Sequence, residues 1–110
     1  MDAIEALPLI RFASPEFLER LTVAYGDRQA VHAIRGVNTA YGEMRNERAA
    51  PGQGRFLEDA DIEERRRVAF IGREVYRKLF GGRPAVGESI RIAGRPFEVI
   101  GVMDDKVQMS

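Results

Sequence analysis

An α+β fold dominated by short strands is what this sequence of 110 residues predicts, and three observations lead there. Apolar and polar residues alternate in short runs, most clearly Ile90 and Ile92 against Ser89 and Arg91, and a period of two belongs to a half-buried strand. Gly54, Gly72, Gly81, Gly82, Gly87, Gly94 and Gly101 punctuate the second half, at element boundaries or inside the final strand. That pattern suits tight turns and close backbone approaches in a compact sheet. Clear helical spacing is confined to residues 73–80. The length is that of one domain, 1–110, with a modest single core.

Taken in order, the first thirty-odd residues read two ways. Ser14, Pro15 and Glu16 resemble an N-cap, a first-turn proline and an acid suited to the helix dipole, which would start a helix through Phe17, Leu18 and Leu21. Against this, Leu21, Val23 and Tyr25 alternate before Gly26-Asp27, and Val31 to Gly36 supplies a second extended run. Val23, Tyr25, Val31 and Ile34 are strand-forming types, which favours a short turn at 14–18 followed by a hairpin. Residues 39–47 read as a short helix capped by Asn38 or Thr39, with Tyr41 and Met44 on its apolar side and Gly42 weakening it by roughly 1 kcal/mol relative to alanine. ERAAPGQG at 47–54 reads as a loop, and residues 59–66, almost wholly charged, as a solvated turn of helix.

Residues 67–71 then form a strand bounded by Gly72. The helix at 73–80 turns Val75, Tyr76, Leu79 and Phe80 to the core, and Gly81-Gly82 stops it because glycine accepts the left-handed backbone of a helix C-terminus. Around a tight turn at 93–96, Phe97 and Val99 continue the apolar face of Ile90 and Ile92, with Glu98 outward. From Val99 to Met103 the strand is apolar on both faces, so it belongs inside the fold, and Phe97, Val99, Ile100 and Val102 belong to the central core.

Charge and composition exclude several function classes. Seventeen Lys and Arg balance seventeen Asp and Glu, so no net field attracts nucleic acid or anionic lipid. The absence of cysteine removes disulfides, thiolate metal sites and cysteine nucleophiles. No apolar run approaches the ~18 residues of a membrane span. The opening MDAIEALPLIRF lacks the marks of a secretory signal, so the domain is cytosolic or its targeting elements lie outside these residues.

No residue constellation points to catalysis, a cofactor or a metal. His32 is the sole histidine and sits in an alternating strand, so a structural role outweighs a zinc site. Asp59, Asp61, Glu63 and Glu64 resemble the start of a calcium loop, but Glu64 stands where the sharp turn needs glycine and Phe70 where a bidentate carboxylate is required. A solvated face paired with Arg65, Arg66 and Arg67 is the better reading. Gly72 stands alone where a dinucleotide fingerprint needs three glycines, and PGQGR at 51–55 lacks the lysine and hydroxyl of a phosphate loop. Ser14 and Ser89 lack a nucleophile elbow, and the three arginines have no interleaved aromatics to make a nucleic-acid surface.

Five segments do carry information through their order: GRFLEDAD at 54–61, VAFIG at 68–72, LFGG at 79–82, PAVGESIRI at 84–92 and RPFEVIGVM at 95–103. Together they resemble the extracytoplasmic core domain of MacB-like ABC transporter permeases, the FtsX-like family. The matching residues are Gly54, Arg55 and Phe56 with Asp61; Val68 to Gly72; Leu79 to Gly81; Gly87 to Ile92; and Phe97 to Val102. Upstream, Tyr25-Gly26, Ile34 to Val37 and Tyr41 resemble the family's tyrosine-glycine hairpin and Gly-Val strand, so the similarity spans roughly residues 20–103. One departure is Pro84-Ala85-Val86-Gly87, a residue longer than the usual proline-valine-glycine turn.

The resemblance implies a small, strand-rich, barrel-like domain with one or two short helices, similar to the insert sometimes called Sabre. It implies a fragment of the extracytoplasmic domain of an inner-membrane permease, facing the periplasm or exterior. Implied partners are the parent's membrane helices, a fused or separate cytoplasmic ATP-binding subunit, and a periplasmic partner or substrate, with no nucleic acid. A free-standing, non-catalytic binding module is the alternative. On either reading the domain holds no cofactor. Lacking a phosphate loop, a magnesium-binding pair and a catalytic base, it is expected to give no saturable heat when titrated with micromolar ATP in a calorimeter.

Overall fold

The structure, a computed structural model, describes residues 9–14, 17–37 and 49–103. Among them are seven strands and two helices: β1 (Leu9–Ala13), β2 (Phe17–Tyr25), β3 (Arg28–Val37), β4 (Ala49–Gly54), α1 (Asp59–Glu63), β5 (Val68–Ile71), α2 (Arg73–Phe80), β6 (Ser89–Ile92) and β7 (Arg95–Met103). Following the hydrogen bonds from β1 through β3, β2, β6, β7 and β5 leads back to β1, so six strands close into a barrel, and β4 joins as a further partner of β7. Closure satisfies backbone groups that an open sheet would leave along its edges.

Glycine supplies left-handed backbone in both hairpin turns. In the β2–β3 hairpin Tyr25 pairs with Arg28, and Gly26 takes φ +58 at the first of two central positions, as a type II′ turn requires. The β6–β7 hairpin places both Ala93 (φ +54) and Gly94 (φ +85) in the left-handed region, the pattern of a type I′ turn. The Ala93 amide donates to the Thr22 carbonyl at 2.9 Å, tying this turn to β2.

The barrel interior holds Ile10 and Phe12 of β1, Val23 of β2, Ile34 of β3, Ala69 and Ile71 of β5, Ile90 and Ile92 of β6, and Phe97, Val99 and Val102 of β7. Val75, Leu79 and Phe80 of α2 enter the same cluster, and α2 packs against β2, β3 and β7. Because β7 lies across the ring from β3, this helix covers one mouth of the barrel. Gly81 ends it at φ +59, its amide bonded to the Arg77 carbonyl at 3.0 Å. The extra residue of the 84–87 turn is put to use: Ala85 is buried in the core, while the Gly87 amide donates to the Val99 carbonyl at 2.8 Å.

Strand β7 is irregular for a reason. Val99 and Val102 both face the interior although three positions apart, which a regular period of two forbids. The β5 register shows the cause: Ala69 pairs with Val99 but Phe70 with Gly101, leaving Ile100 as a bulged residue. Ile100 instead packs outside the barrel wall with Val37, Leu57 and Val68, against partly buried Phe56 and Ile62.

Several expectations hold: the α+β barrel class, the hairpin at β2–β3, the strand before Gly72, the helix at 73–80 and the final hairpin. Others need correction. Phe17 and Leu18 belong to β2, not to a turn at 14–18, because they pair with Gly36 and Arg35. Leu9–Ala13 is a strand between β3 and β5. The stretch read as a loop at 47–54 contains β4, drawn into the sheet by Met103 and Gly101 despite its proline and glycines. The helix expected at 39–47 lies outside the described residues.

Phe97 pairs with Ile90 across the hairpin and meets Phe12 edge-on at 4.8 Å between ring centroids. Phe97→Ala is expected to cost about 3–5 kcal/mol, whereas Val31→Ala, at a half-exposed position, should change stability by less than about 0.5 kcal/mol. Denaturant titrations of the two variants beside the parent give the comparison.

Candidate functional site

Two separate signals in the sequence, the Gly-Arg-Phe segment and the acidic run after it, form one cluster in space. Gly54 ends β4 at φ +82 with its backbone pressed onto the β7 bulge. A Cβ there would collide with the Ile100 carbonyl oxygen and come within 2.9 Å of the Gly101 Cα. The contact is reciprocal, since a Cβ on Gly101 would collide with the Arg55 carbonyl oxygen. The Arg55 amide donates to the Ile100 carbonyl at 2.9 Å, which sets the direction in which its side chain leaves.

That side chain forks onto Asp61, Nη1 donating to Oδ2 at 2.7 Å and Nη2 to Oδ1 at 3.1 Å. The amide of Glu58, the N-cap of α1, donates to Oδ2 at 2.8 Å, and Arg66 Nη1 reaches Oδ1 at 3.4 Å. Glu64 holds Arg66 from the other side at 3.0 Å through Nε. Asp61 is completely buried. Burial is the largest influence on its pKa and raises it. The hydrogen bonds from Arg55 and the Glu58 amide, the Arg55 charge and the Arg66 hydrogen bond together outweigh burial, so the carboxyl is held below its ordinary value. The acidic stretch is therefore not the solvated face read from the sequence. Glu63 and Glu64 are exposed, but Asp61 turns inward, and the arginines that matter are Arg55 and Arg66.

The remaining sequence candidates stay apart. His32 is buried in β3. Ser89 is exposed at the start of β6, Gly72 is the N-cap of α2, and Ser14 bonds through its amide to the Val37 carbonyl at 3.2 Å. Among the described residues no three His, Cys, Asp or Glu side chains gather where a metal could sit. The sequence reading missed a surface cleft of about 330 Å³ lined by Tyr25, Gly26, Asp27, Arg28 and Arg83 beside the β2–β3 turn. Tyr25 donates to Glu88 Oε1 at 3.0 Å, and Arg28 Nη1 donates to the Lys78 carbonyl at 3.3 Å near the end of α2. Only the fold joins residues so far apart in sequence, and no local pattern marks them.

This arrangement joins a charge-assisted clamp, glycine contacts and a closed barrel. Comparison with known proteins gives it a family. Residues 1–110 match the MacB-like periplasmic core domain. The chain belongs to that family. It is 37% identical over 105 residues to the macrolide export ATP-binding/permease protein MacB of Chlorobaculum tepidum, covering 94% of this chain and 16% of the relative. It is 35% identical over 104 residues to the pyoverdine export ATP-binding/permease protein PvdT of Pseudomonas aeruginosa, covering 94% and 15%. In structure it matches the extracellular domain of the noncanonical ABC-type transporter YknZ from Gram-positive bacteria with a TM-score of 0.75 and 26% identity, over 82% of this chain and 47% of that one.

In this periplasmic core domain the motif residues Gly54, Arg55 and Asp61 thus have a mutual role. They bind the segment from β4 to α1 onto the outside of β5 and β7. Asp61→Asn retains the shape but not the charge, and should cost about 2–3 kcal/mol, toward the low end for breaking a buried pair because both arginines keep contact with solvent. The pH dependence has a definite sign. With its folded pKa lowered, Asp61 contributes stability that is fully present above its unfolded pKa of about 4 and is lost as pH falls below that value. Urea titrations between pH 2.5 and 6 should therefore show a steeper acid loss in the parent than in Asp61→Asn.

Proposed function

We propose that these 110 residues act as a single, non-catalytic unit in the extracytoplasmic part of an ABC transporter permease. The unit contacts substrate or a periplasmic partner, and membrane helices of the parent connect it to ATP hydrolysis in a fused or separate cytoplasmic subunit. The observation that carries this reading is the match along the whole chain to the MacB-like periplasmic core domain, within relatives of which the chain spans only about one-sixth. The physical form agrees. A closed barrel with a charge-clamped flank holds its shape under load, which a part that relays motion needs, and no helix among the described residues is long and apolar enough to cross a membrane. On this reading the parent has an apolar helix before residue 1 and three after residue 110, with further extracytoplasmic sequence between, and its basic residues concentrate on the cytoplasmic side.

The test uses the native gene product and an antibody raised against residues 1–110. The antigen should sediment with membranes and become protease-accessible when the outer barrier is removed and the cells are left otherwise intact. A product of about this length that stays in the cytosolic fraction would overturn the proposal and favour a free-standing binding module.

A further inference from the structure

We propose that acidification releases α2 from the mouth of the barrel, with His32 as the trigger. Four features of the structure carry the idea. His32 lies on β3 two positions before Ile34, on the same face, and only 3% of it is exposed. Its Nε2 has no hydrogen-bond partner among the described residues, so a proton placed there would be buried without an acceptor. The helix above it packs on β3 and carries Lys78. And α2 is bounded by Gly72 and by Gly81-Gly82, with φ +59 and +99 at the latter pair, so it has glycine at both ends.

The surrounding charges oppose a second proton. Lys78 from α2 and Arg20 from β2 repel it, and Glu74 from α2 attracts it, but Glu74 already accepts from Arg77 Nη1 at 2.8 Å. The inward residues of β1 and β7 are apolar: Ile10, Phe12, Phe97, Val99 and Val102. Burial is the largest cause of a lowered His32 pKa, followed by Lys78 and Arg20. A histidine that gains water when α2 lifts returns toward about 6.5, so below that pH the open form binds more protons than the closed one. Opening then becomes up to about tenfold more populated per pH unit, until the closed form is itself protonated.

Local release of α2 is the cheaper way to hydrate His32. The helix satisfies its backbone within itself, so lifting it breaks no sheet hydrogen bonds, whereas hydrating the imidazole through the wall would break the β2–β3 or β1–β3 ladder. Release is resisted by apolar contact, Val75, Leu79 and Phe80 in the core and Tyr25 against Phe80 at 4.2 Å between centroids, and by the Arg28 hydrogen bond to the Lys78 carbonyl. Release would bare those groups and the barrel mouth.

The experiment is residue-resolved amide exchange on the 110-residue chain at pH 7.0, 6.0 and 5.0, corrected for intrinsic rates. The α2 amides from Tyr76 to Phe80 should lose protection by up to about tenfold per unit below pH 6.5, with the β3 and β7 amides unchanged. His32→Phe should abolish the dependence, and Lys78→Gln, on the solvent side of the helix, should weaken it if His32→Phe fails to fold. Protection lost equally in helix and strands, α2 protection independent of pH, a dependence that survives His32→Phe, or one undiminished in Lys78→Gln would overturn the proposal.

Discussion

The backbone contact between Gly54 and Gly101 is the constraint on which the rest of the structure depends. Two strands can lie this close only where neither carries a Cβ, and the approach occurs where β7 bulges at Ile100. Before the bulge, β7 pairs with β6 and faces the barrel interior with Phe97 and Val99. After it, the same strand accepts β4 along that edge, returns Val102 to the interior and leaves Ile100 to a second cluster outside the wall. One inserted residue thus lets a single strand serve two cores.

From that contact the outer flank follows. Because the Arg55 amide is bonded to the bulged Ile100, its guanidinium is aimed at α1, and Asp61 can be buried at the cost of desolvation only because four donors meet its carboxylate. Apolar burial adds to the hold. Phe56 stands edge-on to Phe70 at 4.7 Å, and Leu57 and Ile62 cover Val68 and Ile100. The charged clamp adds direction, since a bidentate pair tolerates little rotation while apolar contacts slide. At the barrel mouth α2 is seated by apolar contacts of Val75, Leu79 and Phe80 and by a hydrogen bond from Arg28 to the Lys78 carbonyl.

This division bears on the role proposed above. The flank is held by charge and by a glycine contact that permits no adjustment, and the mouth by a helix with glycine at either end. A part that relays motion from a membrane helix has use for both, a wall that keeps its register and an element that can move without breaking the ladder.

Local order was legible in the sequence wherever the deciding partners lie within a few residues. Helix α2 with its Gly81 cap, the β6–β7 hairpin and the β2–β3 turn all follow from short-range period and turn chemistry, and the order of the glycine-bounded segments sufficed to indicate the family. Tertiary structure alone decided what depends on distant partners. Leu9–Ala13 is a strand because β3 and β5 accept it on either side, and Ala49–Gly54, with little strand propensity, is held by Gly101 and Met103. Asp61 read as one of a solvated run because a charge shows no sign in sequence of the arginine that will bury it. Period and composition record what a residue prefers among its neighbours. The close approach of Gly54 to Gly101, the burial of Asp61 and the isolation of His32 are properties of the closed barrel, fixed only when the chain brings those groups together.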